Sequence, residues 1–280
     1  MTGHDPIPAT IAPHGTSTGH RHAKCFASPD ENCSTTISRE HFISETLLRQ
    51  IELNKTAKIA GLSWQQPKTF DIIPLKGLAS KILCDRHNSA LSPLDATMGA
   101  FSQAIADIDR DLHPDADAPR FQRRQFCGED LERWMLKCLI GMSVSGNIGG
   151  GLNPKCLDLL YDRIPWPTGW GLYWLIDRGP VAHHASSFLI ETNVHPQTNV
   201  IMFVRFTMRG LPLGLCLGKP DQPSAFGILR PSALSFRSGH RRRQIMLRWS
   251  RDRAGAPIQL NRAGTYDGPS PDWLPWERNG

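Results

Sequence analysis

Apolar residues recur at helical spacing in three parts of the chain, and each stripe predicts a helix. The first stripe comprises Ile43, Leu47, Leu48 and Ile51. The second lies between residues 97 and 113, is typical of an amphipathic helix, and comprises Met98, Phe101, Ile105, Ile108 and Leu112. The third begins at about Glu129 and comprises Leu131, Trp134, Met135, Cys138 and Leu139.

The second half of the chain has the composition of β-strands. Its segments are rich in aromatic and β-branched residues and are bounded by Gly, Pro or Asn; they are GWGLYWLID, SSFLIETNV, NVIMFVRFTMRG and LGLCLG. Their spacing predicts an antiparallel sheet, to which RRQIMLRWSR could add a strand. Residues 54–76 contain Gly61, Pro67 and Pro74 and predict a loop with at most a short strand at TFDII.

These patterns predict an α+β fold in five parts. Residues 1–20 lack hydrophobic periodicity and predict a flexible tail. Residues 21–96 form a small module, 97–164 a region of central helices, and 165–255 a β-rich domain of unknown role. Residues 256–280 predict an irregular C-terminal tail.

The composition allows a large core and a polyanionic partner. The 280 residues are 40% hydrophobic, and the formal net charge of +6 is compatible with nucleic acid as a partner. No run approaches the roughly 20 apolar residues of a membrane span. The N-terminus MTGHDPIPAT has neither the basic start nor the apolar stretch of a secretory signal. A cytoplasmic protein without a membrane segment is expected.

Cysteine and histidine residues predict a metal site in the N-terminal module. The chain has seven cysteines, an odd number that favours thiols or metal ligands over a disulfide framework. Cys25 and Cys33 form one pair and Cys84 and His87 a second, whose two-residue gap lets one turn present both side chains. The set is typical of a tetrahedral structural zinc site. The alternative is three buried free cysteines and a surface histidine.

The stretch SREH, residues 38–41, has two interpretations. Ser38 could be the N-cap of a helix that starts around His41. Alternatively, Glu40 and His41 could serve catalysis, with a carboxylate that binds a cation and an imidazole that accepts a proton. Adjacent residues of a regular strand point to opposite faces, so both could reach one phosphate only from a bulge or a strand end.

Residues 25–95 resemble the HNH endonucleases, the zinc-containing His-Me finger (ββα-metal) nucleases. The resemblance rests on the cysteine pair in CFASPDENC, on EHFI, and on CDRHN before a predicted helix. It implies a small zinc-stapled ββα-type module in which His41 is the general base. It further implies that Glu40 and Asn88 hold a catalytic Mg²⁺ or Mn²⁺. The structural zinc ligands that it implies are Cys25, Cys33, Cys84 and His87.

The chain departs from the HNH pattern at three points. No asparagine precedes Cys84 at the place where the family orients its base, which Ala79 and Ser80 occupy instead. His87 replaces a second cysteine, and Cys25 and Cys33 are widely spaced. A zinc-containing module that binds nucleic acid or protein without catalysis is therefore the alternative to a nuclease.

Arginines concentrate in FRSGHRRRQIMLRWSRDR, residues 236–253, against the single acidic residue Asp252. Arginine binds phosphate through two parallel hydrogen bonds, so this stretch predicts contacts with nucleic acid. The residues expected to make them are Arg241, Arg242, Arg243 and Arg248. A weaker basic patch, RFQRRQF, predicts the surface of a loop. Together with the resemblance, the stretch predicts a metal-dependent, DNA-binding hydrolase that cleaves DNA in preference to RNA.

Overall fold

A computed structural model describes residues 7–52, 54–67, 69–113, 116–117, 121–175, 187–218, 227–250 and 254–261. The fold is mixed α+β, as predicted. The α-helices of the described residues are α1 (Glu45–Ile51), α2 (Asp85–Leu112), α3 (Gly128–Val144) and α4 (Cys156–Leu160). Two short 3₁₀ helices span Ser28–Asp30 and Leu75–Leu78. No helix of this part of the chain is long and apolar enough to span a membrane.

The strands alternate with the helices in the first half of the chain and dominate the second half. Those before α3 are β1 (Ile37–His41), β2 (Thr56–Ala60), β3 (Phe70–Pro74), β4 (Ala79–Cys84) and β5 (Phe121–Cys127). Those after α3 are β6 (Gly171–Leu175), β7 (Ser187–Val194), β8 (Ile201–Met208), β9 (Leu211–Cys216), β10 (Gly227–Leu229), β11 (Ala233–Ser238), β12 (Arg241–Arg248) and β13 (Ile258–Asn261).

The smallest sheet pairs β1 with β4, antiparallel, and α2 follows β4 directly. Strands β1 and β4 and helix α2 are thus neighbours in space, although α1, β2 and β3 lie between the two strands in the chain. Ser38 lies in β1, where its hydroxyl donates to the Leu83 carbonyl at 2.9 Å, so its interpretation as a helix N-cap is wrong. Helix α1 begins later, at Glu45, and buries Leu47, Leu48 and Ile51.

The largest sheet has the strand order β10-β6-β9-β8-β7-β2-β3. Its pairs are antiparallel apart from β2 and β7, which are parallel. The antiparallel sheet predicted in the second half is therefore present. The short strand expected at TFDII corresponds to β3, but the loop expected before it contains β2. Strand β3 lies at the edge of the sheet, where Pro74 is tolerated because an edge strand has unpaired positions.

A third sheet has the order β13-β11-β12-β5. The segment RFQRRQF was expected to be a loop, yet its described part, from Phe121 onward, lies in β5 and pairs in parallel with β12. Likewise β13 lies inside the predicted irregular tail, because Ile258 and Leu260 bury their side chains beside β11. The remainder of that predicted tail, residues 262–280, lies outside the described residues.

The predicted five-part division does not match the course of the chain. Helix α2 runs unbroken across residues 96 and 97, and β2 pairs with β7 of the predicted β-rich domain. The described part of the predicted flexible tail, 7–20, is anchored: the Ala9 amide donates to Asp130 Oδ1 at 3.0 Å, and Ile11 is buried. The hydrogen bond of the Ala9 amide and the burial of Ile11 therefore offset the conformational entropy that this segment loses when it becomes ordered.

Helix α3 is buried on nearly all sides, not along one stripe. Its charged side chains are consequently paired, as buried charges must be. Asp130 forms an ion pair with Arg133, Glu132 with Arg230, and Lys137 with two carboxylates described below.

Candidate metal centre and the adjoining cleft

Three cysteines and one histidine from separate parts of the chain meet in the interior. Cys25 and Cys33 flank the 3₁₀ helix Ser28–Asp30, whereas Cys84 ends β4 and His87 lies in the first turn of α2. All four residues are buried, and their ligand atoms lie within 4.8 Å of one another. The predicted ligand set is thus brought together, and the alternative of a surface histidine is wrong.

Local structure explains how a pair as widely spaced as Cys25 and Cys33 closes on one point. The chain between them folds back through the 3₁₀ helix, where the Ser28 amide donates to the Cys25 carbonyl at 2.9 Å. The Cys33 amide donates to the His20 carbonyl at 2.9 Å and fixes the other end of this loop. On the opposite side, the Cys84 sulfur accepts from the His87 amide at the N-terminus of α2.

The imidazole of His87 faces the three sulfurs with one nitrogen and a carboxylate with the other. Nδ1 lies 3.6 Å from the sulfur of Cys25, 3.7 Å from that of Cys33 and 3.2 Å from that of Cys84. Nε2 lies 3.6 Å from Asp30 Oδ2. A carboxylate at Nε2 favours the tautomer with the proton there, so the Nδ1 lone pair points at the thiols.

Burial and backbone hydrogen bonds together shift the pKa values of the cluster residues. It raises the pKa of Cys25 to about 12 and also raises the pKa of Cys33. Burial favours the neutral thiol of Cys84 too, but hydrogen bonds from the His87 and Ser34 backbone amides outweigh it and lower the pKa of Cys84. Burial lowers the pKa of His87, which keeps the imidazole neutral despite Asp30. A bound cation would stabilise the thiolates that burial disfavours.

The donor set fits a metal ion such as zinc. Three thiols and a neutral imidazole supply four soft or borderline donors, the number that completes a tetrahedral shell. Four protein donors leave no position for water or substrate, so such a site holds the fold together and does not catalyse a reaction. Among the described residues, no other group of His, Cys, Asp and Glu has this geometry.

His41 is the last residue of β1 and lies opposite Ala79 of β4. Its side chain is 22% exposed, and its Nδ1 lies 3.8 Å from Glu45 Oε2 at the start of α1. Burial lowers the pKa of His41, and the carboxylate of Glu45 only partly opposes this effect. The imidazole is therefore neutral near pH 7 and able to accept a proton.

A cleft of about 490 Å³ opens beside His41. Its charged lining comprises Arg39, Arg49, Lys55, Lys76, Glu45 and Glu52, in which basic side chains outnumber acidic ones. Glu45 is also the ion-pair partner of Arg49. The volume lies in the range of pockets that take small ligands, and the excess of cations suits a phosphate group.

Glu40 faces away from this cleft. Its side chain is 9% exposed, and its Oε1 lies 2.5 Å from the Lys137 ammonium. Asn88 is hydrogen-bonded to Glu40, so the structure does bring together the two residues that the resemblance assigns to a divalent ion. The ammonium already neutralises the carboxylate, however, and the pair does not fit an additional Mg²⁺ or Mn²⁺. A lysine on a predicted apolar helix gave no sequence signal of this contact.

The four predicted nucleic-acid contacts lie on β12 and divide between the two faces of the strand. Arg243 is 1% exposed and forms an ion pair with Asp111 at 3.0 Å, so its prediction as a phosphate ligand is wrong. Arg241 donates to the Asp111 and His113 carbonyls. Arg242 and Arg248 are exposed. The reason is the alternation of side chains along a strand, which turns every second arginine inward.

Comparisons of the chain with protein-family models, with curated proteins and with solved structures find no match. A functional assignment therefore depends on the chemistry of the Cys25, Cys33, Cys84 and His87 cluster and of the His41 cleft.

Proposed function

We propose that the chain is a nuclease of the HNH type that hydrolyses phosphodiester bonds of nucleic acid at the His41 cleft. The position of His41 carries the proposal. A neutral imidazole at the end of β1, in a strand pair followed directly by α2, borders a cleft rich in basic side chains. DNA is the first substrate to test, and RNA is the second.

The Cys25, Cys33, Cys84 and His87 cluster would hold zinc in a structural role. Thiolate and imidazole donors select zinc over hard cations such as Mg²⁺. The ion would fasten the loop that carries Cys25 and Cys33 to the junction of β4 and α2. Because β4 pairs with β1, this attachment supports the strand on which His41 lies.

The chemistry available to the cleft is general-base catalysis with electrostatic stabilisation. His41 takes a proton from a water molecule, whose oxygen attacks phosphorus while the bond to the leaving oxygen breaks. The leaving oxygen keeps the electron pair of that bond and takes a proton from solvent. Glu45 stabilises the imidazolium that forms, because its carboxylate lies beside Nδ1. Arg39 and Lys76, on the cleft wall, offset the charge that develops on the phosphate. No step is assigned to Glu40 or Asn88.

The test is a plasmid-nicking and RNA-cleavage assay of the wild type and of His41→Ala, with Mg²⁺, with Mn²⁺ and without added divalent ion. Loss of a general base reduces cleavage by about 10²- to 10⁴-fold. The matched control is His240→Ala, which removes an exposed histidine in the turn between β11 and β12 and should cleave like the wild type. Cleavage that survives in His41→Ala would rule out His41 as the base.

A second function, binding of nucleic acid without cleavage, is favoured by the contact between Glu40 and Lys137. A nuclease fold that has lost its divalent ion could retain a phosphate-binding cleft. This function predicts salt-sensitive binding in fluorescence anisotropy and no cleavage under any of the conditions above. Neutralising Arg39 and Lys76 would then reduce the dependence of affinity on salt.

A further inference from the structure

Three charged side chains from three different elements meet behind the His41 strand. Glu40 comes from β1, Asp95 from the middle of α2 and Lys137 from the buried helix α3. The Lys137 ammonium lies 2.5 Å from a carboxylate oxygen of each acidic residue, and its side chain is 2% exposed. The ammonium therefore bridges the buried carboxylate of Glu40 and the carboxylate of Asp95, whose side chain is 23% exposed.

The oxygen atoms around this ammonium are those of a site for a hard divalent cation. The side-chain NH2 group of Asn88 donates a hydrogen bond to Glu40, one of the two carboxylates. Carboxylate oxygens are ligands that Mg²⁺ and Mn²⁺ prefer. Asp95 Oδ1 is buried and has no hydrogen-bond partner within the described part of the chain, so the ammonium does not use every acceptor.

Lys137 is charged in this environment. Burial alone would lower its pKa, but the carboxylates of Asp95 and Glu40 reverse this effect and raise the pKa above its usual range. Without a cation, the two neighbouring carboxylates would repel each other, and that of Glu40 would remain poorly solvated. The site thus needs positive charge, and the chain supplies it from α3.

We propose that Lys137 is an internal cation that takes the place of a divalent metal ion between Glu40 and Asp95. The wild-type protein is consequently closed to Mg²⁺ and Mn²⁺ at this site. The inference goes beyond the proposed nuclease, because it holds whether or not the His41 cleft cleaves nucleic acid. It also adds Asp95 as the carboxylate opposite Glu40.

Removing the ammonium should convert the site into one that binds a divalent ion. Lys137→Ala leaves the two carboxylates and opens space for a cation with ordered water. We expect Mn²⁺ affinity in this variant to rise at least tenfold over the wild type. Mn²⁺ should also raise the thermal unfolding temperature of the variant and leave that of the wild type unchanged, since a ligand stabilises only the state that binds it.

The experiment is a titration of the full-length, zinc-loaded protein with Mn²⁺, followed by the electron paramagnetic resonance signal of the free ion. The double variant Lys137→Ala with Glu40→Gln should lose the gain, because one ligand charge is absent. Lys81→Ala serves as the matched control, since Lys81 is an exposed lysine of β4. If Lys137→Ala does not fold, Lys137→Met retains more of the side-chain volume and replaces it in the titration.

Two results would overturn the proposal. One is that the wild type binds one Mn²⁺ and that Glu40→Gln abolishes this binding. This comparison does not require a Lys137 variant to fold. The other is folded Lys137→Ala or Lys137→Met without any gain in Mn²⁺ affinity. The titration uses no substrate, so its outcome is separate from that of the nicking assay: either can fail while the other succeeds.

Discussion

At the scale of single residues, the two ring nitrogens of His87 have different neighbours. Nδ1 faces the sulfurs of the cluster, whereas Nε2 faces Asp30, which is also the ion-pair partner of Arg163. A carboxylate behind a ligating histidine fixes the tautomer and the orientation of the ring and raises its basicity. We therefore expect Asp30 to influence a metal ion bound at the cluster through His87, without being a ligand itself.

We expect Asp30→Asn to weaken zinc binding by about 10- to 100-fold, the usual effect of losing such a carboxylate. The affinity can be measured by competition with a chromophoric chelator. Asp158→Asn is the matched control: Asp158 also pairs with Arg163, but Asp30 is the carboxylate that faces His87. Restoration of affinity in Asp30→Glu would separate the role of the carboxylate from a general loss of structure. Equal affinities in all variants would contradict the assignment.

At the scale of elements, α3 and the pairing of β2 with β7 connect the parts of the molecule. Asp130 of α3 holds the segment at Ala9, Glu132 accepts from the Leu172 amide of β6, and Lys137 reaches β1 and α2. Strand β2, which lies between β1 and β4 in the chain, is instead a member of the largest sheet. The region of the Cys25, Cys33, Cys84 and His87 cluster and the large sheet thus form one packed body.

Gly61, directly after β2, permits this pairing, and we expect Gly61→Ala to destabilise the protein by roughly 2–4 kcal/mol. Its φ of +95° is unfavourable for other residues, and an added Cβ would lie 1.7 Å from the Ile190 carbonyl oxygen of β7. Urea denaturation measures the change. The control is Gly149→Ala, where a Cβ meets nothing within 4 Å, with an expected effect within about 0.5 kcal/mol. Equal stabilities of the two variants would contradict the close approach of β2 and β7.

At the scale of the whole molecule, the three sheets of the described residues are joined by α2 and α3, each of which packs against two of them. Helix α2 carries His87 at one end and packs beside β11 and β12 towards the other. The small sheet of β1 and β4 therefore cannot separate from the remainder of the chain without breaking α2. We therefore expect the described regions to unfold cooperatively, since buried contacts cross every boundary that the sequence pattern predicts.

We expect removal of the metal to lower the stability of the entire molecule. Chelation during mild heating should shift a single calorimetric transition downward by roughly 10 °C or more, since structural zinc contributes several kcal/mol of folding free energy. Added zinc should restore the transition, and a Cys84→Ser variant should show little response to either treatment. Two well-separated transitions, of which only the smaller responds to the chelator, would instead indicate an independent zinc module.

The sequence predicts features that depend on local spacing better than those that depend on distant partners. The ligand set could be recognised because the gap between Cys84 and His87 is that of one helical turn. Strands β2 and β5 were missed because each is defined by a parallel partner, β7 or β12, that is remote in the chain. The sequence does not predict the ion pairs of Lys137, and it wrongly predicts Arg243 as a contact to nucleic acid. The reason is that burial beside a carboxylate has no local signature.

The parallel pairings of β2 with β7 and of β5 with β12 also impose an order on folding during synthesis at the ribosome. The chain emerges at about 5–20 residues per second, N-terminus first. All four residues of the metal cluster precede α3, so they are complete while β2 still waits for β7 and β5 for β12. A metal ion bound to the cluster would hold residues 25–87 in their native conformation during this interval. In a cell short of zinc, this early segment would not be held in place, and the nascent chain would expose unpaired strand edges. We expect the protein to be lost to aggregation under these conditions.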